Sequence, residues 1–150
     1  MEKPSLGLLL HDAARAVRKR FETRAVVYGL TSAQWRMLVR VCKTDGGAPQ
    51  AHFAEMLEIE PISVSRLLDR MEAMGWVTRG LDPTDRRVRL VFPTAKAREA
   101  FASFKPVADT VYAEALAGMT PDQQHKLTEA LALIIHNLAT AATDGQKDHV

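Results

Sequence analysis

Residues 52–92, "HFAEMLEIEPISVSRLLDRMEAMGWVTRGLDPTDRRVRLVF", decide how this chain is read. The stretch opens as two short helices around a tight turn at "EIEP", residues 58–61, which is helix-turn-helix spacing. In the second helix, predicted from Pro61 to Met74, the residues Val64, Leu67, Leu68, Met71 and Met74 recur at helical spacing and form an inward face. Ile62, Ser65, Arg66, Asp69 and Ala73 point the other way, with Ser63 at the margin near the helix start. Two strands are predicted next, near 76–80 and 88–92, the second alternating Val88, Leu90 and Phe92 against Arg89 and Val91. The tip between them carries Asp82, Pro83, Asp85, Arg86 and Arg87.

A helix that enters a major groove offers its N-terminal residues to base edges, here Ile62, Ser63, Ser65 and Arg66. Serine donates or accepts, isoleucine suits a thymine methyl, and arginine forks onto guanine O6 and N7. A plain amphipathic helix with a solvated face has the same pattern, so the helix alone does not decide. The hairpin does. A strand, a tip with paired arginines and a second strand directly after a helix-turn-helix form a winged-helix layout. Its tip can reach a neighbouring minor groove, whose negative potential attracts arginine. Asp82 and Asp85 lie close enough in sequence to hold one guanidinium while the other projects. A solvated turn with surface ion pairs explains a charged tip but not its location.

Outward from this centre, two capping boxes mark helix starts. "TSAQ" places Thr31 three residues before Gln34, and "TPDQ" places Thr120 three residues before Gln123. The first opens the apolar run Trp35, Leu38, Val39 and Cys42; the second opens Leu127, Leu131, Ile134, Ile135 and Leu138. A first helix is expected over 5–28, a loop at "TDGGAPQ", and a short helix from Gln50 to Leu57. Thr94 is expected to cap a long helix reaching about Met119 and kinked at Pro106, and the tail "TDGQKDHV" is polar and expected to fray. The 127–138 stripe and the set Phe101, Phe104, Val111, Tyr112 and Leu116 exceed what a small winged helix covers, which points to a homodimer. A two-fold axis then sets the recognition helices roughly one DNA turn, ~34 Å, apart.

Length and composition narrow the rest. At 150 residues the chain fits a single domain, and a formal net charge of +2 leaves charge placement to carry any nucleic-acid argument. Its single cysteine, Cys42, excludes an intrachain disulfide framework and fits a reducing cytoplasm. Sharing a face with Leu38 and Val39, Cys42 reads as a structural thiol; a redox-sensing thiol is the alternative. The apolar run Leu6 to Leu10 is too short for a membrane span or a signal peptide, so a cytoplasmic protein without membrane attachment is expected. His11, His52, His125, His136 and His149 show no ligand spacing, so no metal and no cofactor is expected. Neither a nucleophile elbow nor a phosphate loop is present, which argues against an enzyme. A winged helix that binds protein instead of DNA is the other alternative.

The chain resembles the MarR family of bacterial transcription regulators, and within it the SlyA-like group. The resemblance runs from "HDAARAVRKRF" through "LTSAQW", "FAEMLEIEPISVSRLLDRMEAMGWVTR" and "DPTDRR" to the final helix pair, the "DPTDRR" wing being its most specific element. It implies a mainly α fold: a winged helix-turn-helix over 31–94, with long N- and C-terminal dimerisation helices over 5–30 and 95–142. It implies a homodimer on a pseudo-palindromic double-stranded DNA operator, with repression as the usual mode. Carried over by position, Ser63, Ser65 and Arg66 become base or phosphate readers. Arg87 becomes the minor-groove arginine, with Arg86 beside it and Asp85 positioning it. The family often releases DNA on binding a small aromatic anion, for which Arg15, Arg18 and Trp35 are the candidates by resemblance; Trp35 on its apolar face reads first as plain core, and Arg15 and Arg18 equally as contacts to phosphate or solvent. Two positions depart from the family pattern. Glu58 replaces the usual glycine of the helix-turn-helix turn, so either that turn tolerates a side chain or its geometry differs. Pro93-Thr94 replaces a Leu-Thr, with Pro93 expected to end the strand early.

Overall fold

The computed structural model describes residues 3–44 and 46–144. The chain divides into two compact units after Val111. The first holds α1 (Leu6–Ala25), a 3-10 turn (Val26–Tyr28), α2 (Ser32–Lys43), β1 (Ala48–Pro49), α3 (Gln50–Leu57), α4 (Pro61–Ala73), β2 (Val77–Leu81), β3 (Arg89–Pro93) and most of α5 (Ala95–Ala115). The second holds the last residues of α5 and all of α6 (Pro121–Asp144). No helix among the described residues is long and apolar enough to cross a membrane.

Local chemistry sets the helix starts. Ser5 caps α1, its hydroxyl accepting from Leu8 N–H at 3.3 Å. At α2 the capping box is reciprocal: Gln34 N–H donates to Thr31 Oγ1 at 3.2 Å and Thr31 N–H donates to Gln34 Oε1 at 3.0 Å. The same exchange opens α6, with 3.3 Å for Gln123 N–H to Thr120 and 2.9 Å for the return bond. Thr94 caps α5 by accepting from Ala97 N–H at 3.2 Å. That helix runs unbroken through Pro106 and stops at Ala115, short of the expected Met119, where Gly118 takes φ +86°.

The interior of the first unit gathers Trp35, Met37, Leu38 and Val41 from α2, Phe53 and Leu57 from α3, and Val64, Leu68 and Met71 from α4. Trp76 and Val77 join them, together with Val91 and, from α5, Ala97, Ala100 and Phe104. Each fully buried large apolar side chain contributes roughly 1.5–3 kcal/mol. The predicted inward face of α4 is narrower than expected. Val64, Leu68 and Met71 are buried, Leu67 is half-buried, and Met74, the C-cap, is exposed.

The sheet corrects two expectations. "TDGGAPQ" is not wholly loop, because Ala48 and Pro49 form β1, giving a three-stranded antiparallel order β1-β3-β2. Consequently β3 has a neighbour on each side, and its buried residues are Val91 and Pro93, while Leu90 and Phe92 are half-buried. The predicted apolar phase through Val88, Leu90 and Phe92 was therefore the other face. Phe92 lies where Gly47 closes the loop: Gly47 sits at φ +83°, and an added Cβ would run into the Phe92 ring. Pro93 pairs with Val77 as the last residue of β3.

In the second unit α6 has no buried residue among those described. Leu133, Ile135 and Leu138 are well exposed, Leu127 and Leu131 less so, and Ile134 is half-buried. The second apolar set named from the sequence splits: Phe104 and Val111 are already buried within the chain, Phe101 and Leu116 are half-buried, and Tyr112 is exposed. The expected polar tail lies, from residue 145, outside the described residues.

Candidate nucleic-acid interface

Pro61 at the first helical position of α4 presets its entry, after a turn whose backbone is fixed by two bonds. Ile59 N–H donates to Ala54 O at 3.1 Å and Glu58 N–H to Glu55 O at 3.2 Å, the paired pattern of a Schellman cap. Glu58 is the cap residue at φ +53°, ψ +44°, and among the described residues it is the one non-glycine with positive φ. The turn keeps its left-handed geometry and carries the side chain in it. This geometry delivers Ile62, Ser63 and Arg66 to the exposed side of the first turns of α4, with Ser65 half-buried beside them. Arg70, one turn beyond Arg66, is exposed on the same side and was not foreseen.

The wing tip is built from its acids. Asp85 Oδ1 accepts from Arg87 N–H at 3.0 Å and from Nε at 3.1 Å, while Oδ2 accepts from Nη2 at 3.2 Å. Arg87 is thus held in a fork although its side chain remains 90% exposed. The Arg87 contacts hold the Asp85 carboxyl below its ordinary range, the side-chain bond contributing most. Arg86 projects beside it, exposed and unpaired among the described residues. Asp82 does not hold a guanidinium. Its Oδ1 accepts from the Thr84 hydroxyl at 2.7 Å and the Thr84 N–H at 2.8 Å, which lowers its pKa and shapes the turn instead.

Sequence reading missed Arg79. From β2 its guanidinium reaches back to α4, where Nη2 pairs with Asp69 and, at 3.3 Å, with Glu72. Nη1 donates to Gln50 of α3 at 3.2 Å, and the Arg79 main-chain N–H donates to Glu72 at 3.0 Å. Burial alone would lower the Arg79 pKa, but the two carboxylates outweigh it and raise it. The signal was present: an arginine six residues past the end of a helix that carries two outward acids at i, i+3. At the far end of α4, the Thr94 hydroxyl donates to Gly75 O at 2.7 Å and Lys96 Nζ donates to Met74 O at 2.8 Å, tying the helix terminus to the start of α5.

The three ligand candidates are not brought together. A cleft of about 460 Å³ is lined by Arg18 and Trp35, but Arg15 lies exposed on α1 and does not line it. Arg36, Arg40 and Lys43 add positive charge to this cleft, against Glu22 and Glu58. Trp35 is also core, stacked on Tyr28 at 5.7 Å and tilted against Phe104 at 4.1 Å. Cys42 is half-buried, and desolvation, only partly offset by Arg98, pushes its thiol up to about 11, the direction of an inert rather than a reactive thiol.

Residues 28–88 match the MarR family profile. The fold is shared with transcriptional regulator PA3341 at 29% identity and a TM-score of 0.80, over 91% of this chain and 99% of that one. A regulator from Listeria monocytogenes placed in the MarR family, complexed with 26mer DNA, aligns at 24% identity and a TM-score of 0.79, over 93% of this chain and 92% of that one. The S. aureus MepR–DNA complex aligns at 15% identity and a TM-score of 0.72, over 90% and 99% of the two chains. At these lower identities the last two carry the fold alone. The winged-helix part of the chain, residues 28–88, is thus similar to the MarR family, and its fold is that of solved regulators over about nine-tenths of its length.

Proposed function

We propose that the protein is a transcription regulator that binds double-stranded DNA sequence-specifically as a homodimer. The observation that carries this reading is the pairing of two exposed features on one winged helix. The first turns of α4 present Ile62, Ser63 and Arg66, and the wing presents Arg87 pre-aimed by Asp85 with Arg86 free beside it. In this reading Ile62, Ser63, Ser65 and Arg66 meet major-groove edges, while Arg86 and Arg87 reach the flanking minor groove. The DNA held by the Listeria and S. aureus proteins of the same fold supports it.

Dimerisation through the helices of 5–30 and 95–142 belongs to the same proposal, supported by the open apolar residues of α1 (Leu6, Leu8, Leu9) and α6 (Leu133, Ile135, Leu138). The SlyA-like assignment rests on the "DPTDRR" wing, and it brings a cytoplasmic repressor whose operator is released by a small aromatic anion. Arg18 and Trp35 would meet that anion in the cleft, without Arg15. Isothermal titration with salicylate-like anions tests this arm: no heat and no loss of DNA affinity removes it.

Selection of bound sequences from a random duplex pool tests the central reading. A two-fold-related motif should emerge, with affinity falling steeply as salt rises. Arg66→Ala should relax preference at one base position, whereas Arg87→Ala should weaken binding at flanking A·T-rich sequence. A pool that shows no enrichment at low salt overturns the proposal.

A further inference from the structure

The outer side of α4 carries charges of both signs. Asp69 stands three residues after Arg66 and four after Ser65, so it shares the face proposed to meet DNA, and Glu72 follows one turn later. Their side chains are 59% and 42% exposed, so both carboxylates would repel a polyanion placed against this helix. Arg79 meets both of them. Its side chain is only 11% exposed, and its side-chain partners are Asp69, Glu72 and Gln50. The contrast with Arg87, exposed and aimed outward, is one of direction: both arginines are paired with acids, but only one is placed to touch a ligand.

We infer that Arg79 is an internal counterion that neutralises part of the acidic charge on α4 and thereby lets the helix approach phosphate, without itself touching DNA. The inference rests on the DNA-binding reading above. A guanidinium fixed between two carboxylates cancels one of their two charges at short range, where bulk salt screens poorly. The Glu72 bond to the Arg79 main-chain N–H survives a change of side chain, so loss of the guanidinium leaves Glu72 in place and Asp69 exposed without its partner.

The experiment compares operator affinity for the full-length wild type, Arg79→Gln, Arg79→Lys, and Arg79→Gln combined with Asp69→Asn and Glu72→Gln, with a thermal melt of each. Arg79→Gln should lose about tenfold or more in affinity at low salt, as expected for unbalanced like charge facing a polyanion. Arg79→Lys, which keeps the charge but not the fork, should stay within about threefold of wild type. The triple variant, lacking all three charges, should likewise recover to within about threefold, because removing both signs restores the balance. A purely mechanical clamp predicts the opposite: a folded triple variant as weak as Arg79→Gln, or Arg79→Lys as weak as Arg79→Gln, overturns the inference. If Arg79→Gln does not fold, the lysine and triple variants decide between these outcomes. A wild-type protein that ignores duplex DNA is a different result, and it defeats the DNA-binding reading itself.

Discussion

The winged helix and α6 are written in the same helical code and put it to different ends. In the winged helix the apolar residues of α2, α3 and α4 are consumed internally: Leu38, Phe53, Leu68 and Met71 have no exposed surface. In α6 an equally regular apolar pattern leaves Leu133, Ile135 and Leu138 open, and no described residue of the helix is buried. A periodic stripe thus states only that a helix has an apolar side. Whether that side closes the chain's own interior or is left for another copy depends on what the remaining sequence supplies opposite it.

The largest expected effect tests the closed half. Leu68→Ala empties a site with no exposed surface at the centre of α4 and should cost ~2–5 kcal/mol in chemical denaturation. A loss below about 1 kcal/mol would mean that this interior relaxes freely, and the contrast with α6 would lose its first term.

The open half has its own test, of comparable size but in a different observable. Ile135→Glu with Leu138→Glu removes no buried contact of the chain, so each folded copy should keep its helical signal. On the homodimer proposed above, sedimentation should show a shift from dimer to monomer, and affinity for a two-half-site operator should fall by about 10² or more, since linked binding supplies that factor. A double variant that remains dimeric would place the interface elsewhere.

How much of this was legible in the sequence follows from the same contrast. Helix starts depend on neighbours three residues apart, so Thr31 with Gln34 and Thr120 with Gln123 could be read directly. The face of α4 was legible at its middle because Val64, Leu68 and Met71 obey one period, but not at Met74, where the helix ends and the period lapses. The phase of β3 was not legible. Leu90, Val91 and Phe92 are all apolar, and which of them is buried depends on β1, a two-residue strand that pairs forty residues away. Arg79 was missed for a related reason, since its three partners come from two helices and only the fold brings them together. Of the cleft candidates, Arg15 and Arg18 are equivalent in sequence, and only the helix orientation separates them.

The matched capping boxes allow a sharper comparison at smaller amplitude. Thr31→Ala and Thr120→Ala delete the same hydroxyl from the same reciprocal motif. At Thr31 the helix it caps carries Trp35 and Leu38 into the core, so ~1 kcal/mol should be lost from global stability. At Thr120 the capped helix contributes no buried residue among those described, so the loss should appear as faster amide exchange in the first turn of α6, with the winged-helix unfolding midpoint unchanged. Equal midpoint shifts in the two variants would show that α6 is bound into one cooperative unit with the winged helix.

The smallest effect concerns Glu58, where local preference and tertiary demand disagree. A left-handed conformation costs an L-residue roughly 1–2 kcal/mol, and nothing in the Glu58 side chain offsets that by bonding to its own backbone. The Schellman bonds from Glu58 and Ile59, together with Ile59 packing against the core, hold the turn regardless. Glu58→Gly removes the strain but adds backbone freedom to the unfolded chain, worth ~0.5–1 kcal/mol in the opposite direction, so its net change should be a stabilisation of under about 1 kcal/mol. Glu58→Asn keeps a side chain while tolerating the left-handed region, and should therefore stabilise by a few tenths of a kcal/mol, a rise in Tm of about one degree. An asparagine variant that melts lower than the parent would mean that the glutamate itself is held by a favourable contact, and that the winged helix is not overriding local preference at this turn but recruiting it.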